Sequence, residues 1–140
     1  MAAPGEPRWL TRLVVDAIHH DLISTHGGLP GLRDETSLES ALARPRQSFA
    51  YGSGVDIAAL AASYAYGLAR NHPYHDGNKR IAFMTMAVFA ELNGFELDAA
   101  ETEVVHVMLK LAAGELEEEP LADWLRGRLA AIGDEHPVQR

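Results

Sequence analysis

Asn78-Lys79-Arg80-Ile81-Ala82-Phe83-Met84-Thr85-Met86-Ala87-Val88-Phe89-Ala90-Glu91-Leu92-Asn93 is the stretch whose reading decides the fold. Its apolar residues fall on nearly every side of a helical wheel, the pattern of a helix buried all round. The spacing therefore predicts a central helix over 78–93, closed by Gly94. Upstream, Asp56 is placed to cap a helix with Ile57, Leu60, Ala61, Tyr64 and Leu68 on one face. That helix must end near Asn71, because Pro73 disfavours a helical residue before it.

Further toward the N-terminus, residues 46–55 lack a helical period and read as a loop or a small extended flap. Thr36-Ser37-Leu38-Glu39 has the form of a capping box, opening a helix of about two turns that Pro45 ends. Pro7 suits a first helical turn, and Leu10, Leu13, Val14, Ala17, Ile18 and Leu22 follow at helical spacing until Gly27-Gly28. Downstream, Asp98 with Glu101 offers a cap before Val104, Val105, Met108, Leu109 and Ala112. Pro120 opens a last helix with Leu121, Trp124, Leu125 and Leu129 that ends at Gly133. The expected fold is all-α, a compact bundle of about six helices around a buried central helix, with a short flap. One domain is expected over 8–132, flanked by flexible tails at 1–7 and 133–140.

Composition agrees with this class. Ala (22) and Leu (17) far outnumber Val (8) and Ile (5), which favours helix over sheet. At 140 residues the chain can bury a core without metal or disulfide, and with no cysteine it has neither a disulfide scaffold nor a thiolate nucleophile. The uncharged run from Ile81 to Ala90 is about half the length of a membrane span. The first eight residues lack a basic region followed by an apolar stretch, so the expected setting is soluble and cytoplasmic, with no membrane partner. A net charge of −8 disfavours direct nucleic-acid binding, which draws on clustered Lys and Arg. Any cationic site must be local.

One segment concentrates chemistry: His72-Pro73-Tyr74-His75-Asp76-Gly77-Asn78-Lys79-Arg80. It is a polar loop running directly into the apolar helix. The first turn of a helix presents unpaired amides and a positive dipole end, which suit an anion such as phosphate. Gly77 permits close backbone approach, and Lys79 and Arg80 add charge that is unfavourable at this helix end unless an anion compensates it. His72 has the side chain of a general base working near neutral pH, and Asp76 that of a divalent-cation ligand bridging phosphates. Taken singly, these residues have plainer readings: His72 a surface histidine, Asp76-Gly77 a turn, Lys79 and Arg80 a solvated face, and Tyr74 a core anchor. Their concentration in nine residues before an apolar helix is not explained by a turn alone.

These nine residues resemble the signature of the Fic/Doc family, His-x-Phe-x-Asp/Glu-Gly-Asn-Gly-Arg in Fic enzymes and His-x-Phe-x-Asp-Ala/Gly-Asn-Lys-Arg in Doc-type members. Gly27-Gly28-Leu29-Pro30-Gly31-Leu32-Arg33-Asp34, Leu38-Glu39-Ser40-Ala41-Leu42-Ala43-Arg44-Pro45 and Leu92-Asn93-Gly94 also look like death-on-curing proteins, so the resemblance spans roughly 8–130. It implies that His72 deprotonates a target hydroxyl and that Asp76 binds Mg2+. It further implies that Gly77 and Asn78 shape an anion-holding turn, that Lys79 and Arg80 grip the phosphates of ATP, and that Arg70 matches a basic position of Doc. Tyr74 replaces the usual Phe, and its hydroxyl needs a partner if buried.

Lys79 bears on the reaction. Relatives with Gly there generally transfer AMP, whereas the Doc-type Lys is associated with a reversed nucleotide and transfer of the terminal phosphate. The expected activity is that of a toxin phosphorylating a protein hydroxyl, with elongation factor Tu a candidate target and translation block the result. AMP transfer and non-catalytic binding are the alternatives. No Ser or Thr is followed four residues later by Glu-Gly or Glu-Asn, so the family's inhibitory helix motif is not present. A separate Phd-type antitoxin is the implied partner, folding onto an apolar groove. A remaining alternative is metal-dependent hydrolysis, since His72 and His75-Asp76 echo the histidine-aspartate pair of helical phosphohydrolases, although Pro73 breaks the helix that would align them.

Overall fold

A computed structural model describes residues 5–133. In chain order the elements are α1 (Arg12–His26), α2 (Glu35–Tyr51), α3 (Ile57–Asn71), α4 (Asn78–Leu92), β1 (Phe95–Leu97), α5 (Glu101–Ala112), α6 (Glu118–Arg126) and β2 (Leu129–Ala131). The expected tails at 1–7 and 133–140 fall partly on residues 1–4 and 134–140, which lie outside the described residues. Of the remainder, Pro7 is buried and the Glu6 carboxylate accepts from Trp9 Nε1 at 2.8 Å.

The six-helix, all-α expectation holds, but a different helix occupies the centre. α3 packs against α2, α4, α5 and α6, and ten of its fifteen residues are buried, among them Leu60, Tyr64 and Leu68. It is rich in Ala, so neighbouring backbones approach closely while the larger side chains fill the gaps between helices. α4 is buried on two sides through Ile81, Ala82, Thr85, Met86, Phe89 and Ala90. Phe83, Met84 and Ala87, on its third side, line a groove instead. An all-round apolar pattern therefore marks a helix with two core sides and one open apolar side. Trp9 stacks on Phe89 at 6.0 Å, and the Leu10 amide donates to the buried Tyr64 hydroxyl at 3.1 Å, which fastens the N-terminal lead-in to the core.

Helix limits depart from expectation at five points. α1 begins at Arg12 rather than Pro7, because the Thr11 side chain accepts from the Val14 amide and so supplies the cap. α2 is capped by Asp34, which accepts from the Ser37 amide at 3.2 Å, not by a Thr36 capping box. α2 also runs through Pro45 to Tyr51, so residues 46–51 are helix and the expected flap shrinks to the turn before Ile57. The extension is held by its packing: Phe49 meets Trp9 edge-on at 5.7 Å, the Arg46 guanidinium lies over the same ring, and Pro45 is buried. Tyr51 is 90% exposed and anchors nothing.

Asp98 does not cap α5. Its amide donates to Arg128 O at 2.7 Å, prolonging an antiparallel ribbon in which Phe95, Glu96 and Leu97 face Ala131, Ala130 and Leu129. α6 accordingly stops at Arg126, and the following residues extend to pair with β1 rather than continuing the helix to Gly133. Asp56 caps α3 as expected, accepting from the Ala59 amide at 2.9 Å. No helix among the described residues is long and apolar enough to cross a membrane.

Candidate functional site

The loop joining α3 to α4 carries the predicted site. His72 caps the C-terminus of α3 in the left-handed region (φ 48°, ψ 57°), the only described non-glycine residue with positive φ. A left-handed conformation is unfavourable for a side chain bearing Cβ and persists only where the surroundings enforce it. Here the enforcement comes from residues 28–34. Arg33 Nε donates to His72 O at 2.6 Å and Arg33 Nη2 to Asn71 O at 2.9 Å. The amides of Arg33 and Asp34 both donate to Pro73 O, at 2.7 and 3.0 Å, and the His75 amide donates to Gly31 O at 3.1 Å. The His72 ring is exposed at the end of this arrangement.

Tyr74 is the anchor. It is 3% exposed, and its hydroxyl donates to Asp16 Oδ1 at 2.7 Å, which meets the requirement its burial imposes. Burial, followed by this bond to a carboxylate, pushes the phenol well above its usual range, so Tyr74 stays protonated. The ring stacks on buried His19 with centroids 3.7 Å apart. The Asn78 side chain turns back on Tyr74, its Oδ1 accepting from the Tyr74 amide at 3.0 Å and its Nδ2 donating to Tyr74 O at 2.9 Å. Asn78 thus shapes the loop.

Asp76 is exposed and oriented. Its Oδ2 accepts from the Leu29 amide at 3.0 Å, while its main-chain oxygen is bonded to His19 Nε2 at 2.8 Å. Gly77 follows at φ 75° and forms the N-cap of α4, and no side chain caps this helix end. The first-turn amides are therefore available to an anion. Lys79 and Arg80 are exposed beside them on the rim of a groove of about 740 Å3 whose floor includes Phe83, Met84 and Met108. Among the described residues neither Lys79 nor Arg80 forms an ion pair, in contrast to Arg12, Arg44, Arg70, Arg126 and Arg128.

Of the predicted site residues, His72, Asp76, Gly77, Asn78, Lys79 and Arg80 share this loop and helix end. Arg70 stands apart: it pairs with Glu117 at 3.3 Å, lies 4.9 Å from the Tyr66 ring centroid and lines a separate hollow with Arg44. Asp16 and His19 were given no part in the site by the sequence, and Leu29 and Arg33 entered only within the 27–34 stretch that resembles the family, without a role. His19 lies one turn after Val15, and these two are the buried residues of α1, whereas Leu13 and Val14 of the expected apolar stripe are exposed, so the stripe pointed to a different face. Among the described residues no group of three or more His, Cys, Asp or Glu converges as a metal site, so His72, His75 and Asp76 do not assemble a hydrolase-type centre. One oriented carboxylate beside an uncapped helix N-terminus fits the needs of Mg2+, which commonly takes one or two protein carboxylates and completes its shell with other oxygens and water.

A helical bundle with a histidine, a carboxylate and a cationic helix N-terminus in one loop defines a class, and the sequence model of the Fic/DOC family matches residues 9–90. The chain belongs to the Fic/Doc family, as a Doc-type member. It is 33% identical over 110 residues to the protein kinase doc of Escherichia phage P1, covering 79% of this chain and 86% of that protein. It is also 36% identical over 115 residues to the toxin Doc of Mycolicibacterium smegmatis, covering 75% and 83% respectively.

Proposed function

We propose that this protein is the toxin of a toxin-antitoxin pair and that it transfers the γ-phosphate of ATP to a hydroxyl of a target protein in the cytoplasm. The observation that carries the reading is Lys79, exposed and without an ion pair among the described residues, at the uncapped N-terminus of α4 next to Arg80. A Lys here fills space that Gly would leave open and adds a point charge on the terminal phosphates. The names of the two relatives, a protein kinase and a toxin, support the same reading.

In this mechanism the amides of the α4 first turn, Lys79 and Arg80 bind the triphosphate and hold the γ-phosphorus toward the loop. The Asp76 carboxylate, which accepts from the Leu29 amide, would hold Mg2+, and the ion would supply charge neutralisation when bound. His72 accepts the proton of the target hydroxyl as its oxygen forms a bond to the γ-phosphorus. The bond from that phosphorus to the β–γ bridging oxygen breaks, and ADP leaves. The candidate target is elongation factor Tu, whose modification blocks translation. The implied antitoxin is of Phd type, and the apolar groove beside Lys79 is the surface proposed to receive it.

The test uses ATP labelled separately at the α or γ position, incubated with the protein, Mg2+ and cell extract. Label should enter protein from the γ position only; label from the α position would replace this reading with AMP transfer. His72→Ala should abolish transfer and growth arrest while antitoxin binding is kept. His72→Asn, which tolerates the left-handed backbone, should do the same. A fully toxic variant would falsify the role of His72 and leave non-catalytic binding as the better account.

A further inference from the structure

The hydrogen bonds between residues 28–34 and 71–76 form a pattern with a purpose of its own. Every residue of the loop from Asn71 to Asp76 except Tyr74 is bonded by an atom of the earlier segment, and Tyr74 is joined to it by an antiparallel bridge to Leu32. The segment is itself pinned at both ends, Gly27 closing α1 and Asp34 capping α2. It is a strap tied to two helices and laid against the loop.

Its two arms reach two different groups. At one end, the Arg33 fork takes the carbonyls of Asn71 and His72, which the end of α3 leaves without helical partners. Arg33 is exposed, and among the described residues it makes no ion pair, so the guanidinium is spent on carbonyls. The fork holds the main chain of His72 in its left-handed conformation and so sets the direction in which its side chain leaves the backbone. At the other end, the Leu29 amide holds Asp76 Oδ2, while Gly28, at φ 117°, lies so close that a Cβ there would sit 3.1 Å from the same oxygen.

We propose that the strap 28–34 is the template that sets His72 and Asp76 in register with one another, with Arg33 the positioning residue of His72 and Gly28-Leu29 that of the Asp76 carboxylate. The inference rests on the roles given to His72 and Asp76 under the proposed function. Transfer is sensitive to such register because small displacements of a reacting group cost rate more than binding.

The test compares the intact protein with Arg33→Ala, Arg33→Lys and Gly28→Ala, each checked by thermal unfolding. Label transfer is followed from whichever phosphate of ATP the unchanged protein transfers. Arg33→Ala should lower the rate at saturating ATP by about tenfold to a hundredfold and leave the half-saturating ATP concentration within about twofold. Added methylguanidinium should restore part of that rate. Arg33→Lys, which keeps charge but lacks the planar fork, should remain impaired. Gly28→Ala should raise the Mg2+ concentration that gives half the maximal rate. An unchanged saturating rate in Arg33→Ala, or a loss confined to the half-saturating ATP concentration, overturns the proposal. Should Arg33→Ala fail to fold, Arg33→Lys carries the same comparison. If the unchanged protein transfers neither label, the proposed function has failed, and the strap is judged on amide resonances instead. Arg33→Ala must then shift or broaden His72 to Gly77 while the interior of α3 stays in place; unmoved loop resonances overturn it.

Discussion

Tyr74 shows how much one residue can be asked to do. Its ring lies between His19 and the core, its hydroxyl reaches Asp16, and both its main-chain polar groups are taken by Asn78. Tyr74→Phe removes only the hydroxyl. Asp16 keeps Arg12 at 3.2 Å and is 40% exposed, so water can replace the lost donor. The substitution should cost about 1 kcal/mol, read as a lower urea midpoint, with label transfer retained. A large loss of transfer would mean that the hydroxyl, and not the ring, positions the loop. The need for a hydroxyl partner was legible in the sequence, because a buried phenol must bond. The partner's identity was not, because Asp16 lies 58 residues away and only the packing of α1 against the loop joins them.

At the scale of elements, Pro45 is the instructive case. A proline inside a helix forfeits a hydrogen bond and crowds the preceding turn, a penalty of about 3 kcal/mol relative to Ala, and on that ground a helix end was expected there. The observed α2 continues because its second half packs Phe49 and Arg46 onto Trp9 and buries Pro45 itself. Pro45→Ala regains the helical preference and loses about two buried carbons, roughly 1.6 kcal/mol, together with part of a kcal/mol from a freer unfolded chain. The variant should be more stable by up to about 1 kcal/mol, measured as a raised urea midpoint. A lowered midpoint would show that the ring's packing outweighs the backbone term. The same lesson applies to α5: Asp98 has the side chain of a cap, but its backbone is committed to the ribbon beside Arg128.

Across the whole molecule, acidic groups at helix ends and in cross-links have been tuned by their partners. The Ser37 amide holds Asp34 below the usual carboxylate range, and Arg12 does the same for Glu35. Arg126 lowers Asp56, and Arg128 with Trp124 lowers Glu103. A depressed carboxyl contributes stability above its ordinary value, 3.8 for these aspartates and 4.5 for these glutamates, and loses it as pH falls through the folded value. Stability should therefore be level near neutral pH and decline below about pH 4.5, each exposed pair adding little and the set adding up. A urea midpoint that stays constant from pH 6 to about pH 3 would contradict this.

The sequence by itself determined the helical class, the position of most helices and which polar side chains the loop gathers, because each is written in neighbouring residues: periodicity, the Asp56 cap, and His72 to Arg80 in one run. Only the tertiary structure decided which helix lies at the centre, how far α2 extends, and what holds His72 and Asp76 in place. Those outcomes depend on contacts between residues far apart in the chain. Arg33 reaches His72 across 39 residues and Leu29 reaches Asp76 across 47, and no local pattern encodes such pairings.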